Sequence, residues 1–270
     1  MLFSVYLVLQ NRYTAGMNQS DPILLDLRPD GVAVLTFNRP ETRNALNLAA
    51  MRQFAATVTE LATLSQVRCV VLTGAGTDAF CSGGDLVELS QYPTEADALD
   101  FITVMGDALL MLERLPIPVI AAINGYALGG GSEIAMACDL RIVDQSAKIG
   151  FVQINLALTP GWGAGQRLLR LVGYAKALEI LLAGRAMTAD RLLASGLVNQ
   201  VVDSGQALPF ALDFAQQIAS QPPDVVRSIK ALLQAGLNLS YDDALQQERS
   251  LFPALWAAEP HLQAVANFLA

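Results

Sequence analysis

"PVIAAINGYALGGGSEIAMACDLRI", residues 118–142, places an apolar strand-like run, three consecutive glycines and an apolar helix-like run in that order. The run at 119–125 is short and apolar up to Asn124, as a buried strand is. Glycines 129–131 follow, and Ser132 and Glu133 stand at the head of the helix. Without Cβ atoms, three glycines can turn their N–H groups into one concavity. The helix N-terminus adds partial positive charge there. Such a place suits a negative oxygen. A glycine cluster between strand and helix is also a packing device, and spacing alone leaves both readings open.

A second cluster, "CSGGD" at 81–85, has the same setting and opens into a helix. Two backbone donors from separate loops can converge on one oxygen, which is the geometry of an oxyanion hole. No glycine stretch here fits a nucleotide motif: "GGGSE" lacks the lysine of a phosphate loop, and the nearby "GAGTDAF" (74–80) lacks the dinucleotide spacing. At Glu133 two effects oppose each other. Apolar neighbours raise a carboxyl pKa toward acid–base use, while a helix N-terminus lowers it.

Outward from this stretch the chain alternates strand and helix. "ILLDLR" and "VAVLTFNR" (23–39) read as strands around the turn "PDG". Leu46, Met51, Phe54, Val58 and Leu61 share one helix face over 45–64. "RCVVLTG" (68–74), "LRIVD" and "AKIGF" are further strands. Helices are expected over 95–115 and 165–183, then over 206–220, 223–236 and 241–257, with a short terminal piece. "AGRAMTADRLLASGLVNQVVD" reads helix, turn, strand, with Thr188 as N-cap and Gly196 as stop. The expected organisation is an N-terminal tail (1–22), an α/β core (23–205) and a helical C-terminal region (206–270).

Composition narrows the function. A hydrophobic content of 53% against 16% charged residues points to a compact globular chain. The formal net charge of −8 argues against a nucleic-acid partner. Three cysteines without a CxxC pair suggest reduced thiols and a cytoplasmic setting. The only histidine is His261, so a Ser-His-Asp triad and a histidine metal site are both disfavoured, and no metal is expected. The apolar start "MLFSVYLVLQNR" is about half the length of a membrane span. It reads as an extra tail, with Met17 as an alternative start.

"FNRPETRNALN", "VLTGAG", "AFCSGGDL", the opening stretch and "LALTPGWGAGQRL" together resemble the enoyl-CoA hydratase/isomerase (crotonase) superfamily, in order, from about residue 23 to the end. The resemblance implies a spiral of ββα units with a helical C-terminal trimerisation region, assembled as a homotrimer or a hexamer (a dimer of trimers). It implies an acyl-CoA substrate, with no cofactor beyond the coenzyme A that the substrate carries. It implies that the N–H groups of Gly84 and Gly130 hold the thioester carbonyl, each such donor lowering the barrier by about 3–4 kcal/mol. Glu133 matches a catalytic glutamate of the family, and the family's coenzyme A contacts map onto Arg43, Ala45, Ser82, Asp85 and Leu86.

Two departures stand out. Hydratases of the family carry a second glutamate twenty residues after the first, and here that position is Gln153. An amide can hold a water but cannot exchange a proton at neutral pH. The substitution favours reactions that need one acid–base group: double-bond isomerisation, or decarboxylation to an enolate. Glu88, Glu95, Asp97 and Asp100 are candidate substitute acids, each more simply a solvated charge. The family's basic C-terminal tail is also missing after "VANFLA". Trp162 reads first as an aromatic packed on a glycine-rich turn, and second as a wall of the acyl pocket. Asp139 and Arg141 read as a structural pair, and Cys81 and Cys138 lack a histidine that would make them nucleophiles. The leading expectation is an enoyl-CoA hydratase/isomerase, followed by an isomerase or acyl-CoA decarboxylase. A non-catalytic CoA-binding homologue and an RNA-binding relative come after these.

Overall fold

A computed structural model describes residues 20–270; the expectations for the apolar start and Met17 lie outside them. The sequence rule for strands places apolar, β-branched runs in the interior, and the structure arranges them in two sheets. The larger has the order β1-β2-β3-β5-β7-β10: β1 (Ile23–Leu27), β2 (Val32–Phe37), β3 (Cys69–Gly74), β5 (Val119–Ile123), β7 (Leu140–Asp144) and β10 (Gln200–Val202). Only β1 and β2 are antiparallel; the other pairings are parallel. The smaller sheet has the order β4-β6-β8-β9: β4 (Ala79–Cys81), β6 (Tyr126–Leu128), β8 (Lys148–Gly150) and β9 (Ala186–Thr188).

The path between the sheets is regular. β3 lies in the large sheet, β4 in the small one, and helices α2 (Leu86–Leu89) and α3 (Glu95–Glu113) follow. β5 and β6 repeat the step and lead into α4 (Gly130–Ala137). β7 and β8 repeat it again, through a short 3-10 turn (Gln153–Leu156), into α5 (Ala164–Ala183). This is a spiral of ββα units, as the resemblance implies. α1 (Leu48–Leu61) precedes the spiral; Asn47 caps it by accepting the Ala50 N–H at 2.9 Å. α6 (Ala189–Ala194) links β9 to β10.

The interior between the sheets and helices is apolar, with Phe37, Phe54, Phe80 and Phe151 fully buried. β3 and β5 are buried along their whole length, which is why they read as unbroken apolar runs. Four helices close the chain: α7 (Ala207–Ala219), α8 (Pro223–Asn238), α9 (Tyr241–Trp256) and α10 (Glu259–Leu269). α7 packs Ala207, Ala211 and Ala215 against Cys69, Val71 and Ile120 of the large sheet. Asp144, at the end of β7, accepts the N–H groups of Gln206 and Ala207 and fixes where α7 starts. α8 is tied down by Lys230, whose Nζ donates to Asp139 Oδ2 at 2.6 Å and to the Ile117 carbonyl at 2.9 Å.

The expected Asp139–Arg141 pair does not form. Arg141 is buried and donates instead to the carbonyls of Leu197, Ala135, Cys138 and Asp139. A guanidinium has five N–H donors, and four main-chain acceptors converge here, so it needs no carboxylate. Thr188 does precede α6, but its side chain caps nothing. Gly196 follows α6 with φ +75°, as a helix stop does.

Candidate active site

Each glycine cluster is the turn that carries the chain from the small sheet into a helix. "CSGGD" joins β4 to α2, and Gly129–Gly131 joins β6 to α4. β4 and β6 are parallel neighbours, so the two turns leave the same edge of the sheet side by side. Their contact is close. A Cβ on Gly83, whose φ is +95°, would lie 2.7 Å from the Gly130 nitrogen, and one on Gly131 would fall on the Cys81 carbonyl oxygen. Side chains at these two positions would force the loops apart.

The N–H groups of Gly84 and Gly130 make no hydrogen bond to any described residue. Around Gly84, the neighbouring amides are used: Leu46 N–H donates to the Gly83 carbonyl and Asp85 N–H to the Leu46 carbonyl. Gly129 N–H donates to the Gly150 carbonyl, and Gly130 opens α4, where a helix leaves its first donors unpaired. Gly84 and Gly130 are half-buried, in contact with solvent.

Glu133 lies one turn into α4 and is 2% exposed. Its carboxylate faces the N-terminus of α5. Oε1 accepts from Gln153 Nε2 at 3.0 Å and from Gly161 N–H at 3.2 Å. Oε2 accepts from Trp162 N–H at 2.7 Å and from Ala164 N–H at 3.1 Å. Burial pushes the Glu133 pKa up, the N–H groups of Ala164, Trp162 and Gly161 and the Gln153 amide pull it back, and burial prevails. The opposition legible in the sequence is thus decided by depth. The helix end that matters most is that of α5, which the sequence does not place beside Glu133.

Gln153 is buried with its Oε1 unpartnered. Trp162 is buried, with its indole against Gly130. Arg43, Ala45, Ser82 and Asp85 come together: Ser82 N–H donates to the Arg43 carbonyl at 3.1 Å, and the segments 42–46 and 82–85 run alongside one another. Leu86 is exposed at the start of α2. Arg39 escaped the sequence reading. Its Nη1 donates to the Ala45 carbonyl at 2.6 Å and pairs with Asp85 Oδ2 at 3.0 Å, so it clamps the two segments together. It lies inside the first motif, "FNRPETRNALN", where nothing in the local sequence marks it as the partner of Asp85.

None of the four candidate acids reaches Glu133 or Gln153. Glu88 accepts the Leu48 N–H, Asp97 completes a capping box with Thr94, and Asp100 pairs with exposed Arg52 at 3.7 Å. Glu95 is exposed at the start of α3. Among the described residues no group of three or more His, Cys, Asp or Glu side chains could hold a metal, and no helix is long and apolar enough to cross a membrane.

A ββα spiral with two touching glycine turns and a buried glutamate between helix ends defines a crotonase-type α/β enzyme. The chain belongs to the enoyl-CoA hydratase/isomerase family, whose model matches residues 28–269. It is 37% identical over 238 residues to the short-chain-enoyl-CoA hydratase of Clostridium acetobutylicum, covering 88% of this chain and 91% of that one. It is 34% identical over 249 residues to the ethylmalonyl-CoA decarboxylase of Danio rerio, covering 90% and 82%. Among solved structures, the enoyl-CoA hydratase of Bacillus anthracis superposes with a TM-score of 0.87 at 35% identity, covering 92% of this chain and 96% of that chain. The family is one of lyases and isomerases, and the chain is an enzyme of that kind.

Proposed function

We propose that the chain binds an acyl-CoA thioester and works through its enolate, as an enoyl-CoA hydratase/isomerase. One observation carries the reading: the unspent amides of Gly84 and Gly130, on touching loops, stand beside a buried glutamate. The thioester oxygen lies between those amides. As the enolate forms, negative charge grows on that oxygen, and fixed donors stabilise it more than they stabilise the ground state.

Glu133 moves the proton. In hydration it takes a proton from water, the hydroxide adds to the β-carbon, and the same carboxyl returns the proton to the α-carbon. Gln153 orients Glu133 and does not exchange a proton itself. In isomerisation Glu133 takes a proton from the α-carbon of a 3-enoyl thioester and delivers it to the γ-carbon. The strip of Arg43, Ala45, Ser82, Asp85 and Leu86 carries the coenzyme A portion, and the reading calls for no other cofactor.

The amide at Gln153 favours a second reading, decarboxylation of a malonyl-type thioester. Loss of CO2 generates the enolate without a base, and one acid suffices to protonate it. Assays with crotonyl-CoA, a 3-enoyl-CoA and a malonyl-type CoA separate the readings. Turnover of the first or second supports hydratase/isomerase, and turnover of the third alone supports the decarboxylase.

A homotrimer, or a hexamer built of two, belongs to the same proposal, with the helical region 206–270 supplying contacts to the 23–205 core. Leu233, Leu237, Phe252 and Trp256 are exposed on α8 and α9, as an assembly surface requires. Analytical ultracentrifugation tests this; a monomer at micromolar concentration contradicts it. Three free cysteines support a cytoplasmic setting.

A further inference from the structure

Trp162 touches both halves of this site. Its main-chain N–H holds Glu133 Oε2 at 2.7 Å. Its indole covers the Cα of Gly130: a Cβ built there would meet Cζ3 and lie 2.7 Å from Cε3. The six-membered ring of the indole therefore lies against Gly130 while the main chain of the same residue holds Glu133. We propose that this ring is the wall that sets acyl size, restricting the enzyme to short, unbranched acyl thioesters. The inference rests on the acyl-CoA reading above.

The wall is fixed from several sides. The Trp162 carbonyl accepts from Arg167 Nη1 at 2.8 Å, and Arg167 Nε is held by Glu113 Oε2 of α3 at 2.9 Å. The preceding residue, Gly161, is backed by Ile102 of α3, whose Cγ2 would lie 3.2 Å from a Cβ placed on it. With its peptide pinned on both faces and only 6% of the residue exposed, the ring has little freedom to swing aside. A thioester carbonyl at the two glycine amides places its α- and β-carbons between Gly130 and Glu133. A chain that continues, or branches, meets the indole. An aromatic wall of this kind discriminates by roughly tenfold or more for each added methylene that has no space.

The test compares kcat/KM for a short and a long acyl group, in whichever of the three reactions the wild type catalyses. For hydration the pair is crotonyl-CoA and 2-octenoyl-CoA. The wild type is expected to favour the short substrate by at least about tenfold. Trp162→Ala should shrink that ratio by about tenfold or more, with Trp162→Phe in between. A purely structural role for the ring lowers both substrates together and leaves the ratio alone. A wild type indifferent to length, or a folded Trp162→Ala enzyme with an unchanged ratio, overturns the wall while the acyl-CoA reading stands. If Trp162→Ala does not fold, the wild-type profile and Trp162→Phe decide. A wild type that turns over none of the three thioester classes refutes the acyl-CoA reading itself.

Discussion

Gln153 Nε2 donates to Glu133 Oε1 at 3.0 Å across twenty positions of chain, so the amide at the position where the resemblance implies a second carboxylate supports the Glu133 carboxylate. It leaves Glu133 with four donors on two oxygens, three of them main-chain N–H groups that side-chain substitution cannot remove. Gln153 is the one adjustable partner.

Gln153→Glu should therefore convert the site toward two-carboxylate hydration. Two carboxylates within about 3 Å share a proton, and the upper pKa of the pair rises. Hydration of crotonyl-CoA is expected to increase by about tenfold or more, the effect of a fully positioned acid–base group being about a hundredfold or more. A spectrophotometric assay following loss of the enoyl thioester measures it. An unchanged or lower rate means that Gln153 does not limit hydration.

Glu133→Gln should lower kcat by about a hundredfold or more in any of the candidate reactions, because the proton carrier is gone. Binding of a non-reactive acyl-CoA analogue, measured by calorimetry, should survive. Loss of binding together with catalysis points to a folding defect in place of a catalytic one.

The same pair of proteins reports on pH. Burial raises the Glu133 pKa above its ordinary value of about 4.5, so the unfolded chain releases this proton at lower pH than the folded one. The stability this group contributes is complete below the unfolded value and is lost as pH rises through the folded value. From pH 4 upward, chemical denaturation should show the wild type losing stability relative to Glu133→Gln. A difference that moves the other way contradicts the raised pKa.

Lys230→Met should destabilise the fold by about 1–3 kcal/mol, the cost of leaving the partly exposed Asp139 carboxylate and the Ile117 carbonyl without their shared donor. Lys230 is 8% exposed and its partner Asp139 29%. Adding Asp139→Asn should recover part of the loss, as urea denaturation of the single and double variants can show. A surface-like effect below about 1 kcal/mol in the single variant is the contrary result.

Burial pushes the thiols of Cys69, Cys81 and Cys138 up to about 12. An aromatic disulfide reagent at pH 8 should find no reactive thiol in the native protein and three after unfolding. Rapid modification of Cys81 in the native state places that thiol at the surface.

The sequence by itself determined what depends on neighbours along the chain. Helical periodicity located α1, unbroken apolar runs located β3 and β5, and the glycine clusters marked both loops of the proposed site. These signals are local, because a helix face or a buried strand repeats within a few residues. The second sheet was less legible: β4, β6 and β9 are three residues each, too short for any alternation to show. Contacts between distant segments were decided only by the tertiary structure. It set the α5 N-terminus over Glu133, matched Lys230 to Asp139 across 91 positions, and laid Trp162 on Gly130. It also set the direction in which the Glu133 pKa moves, since burial and donor placement are properties of the assembled chain that no window of residues contains.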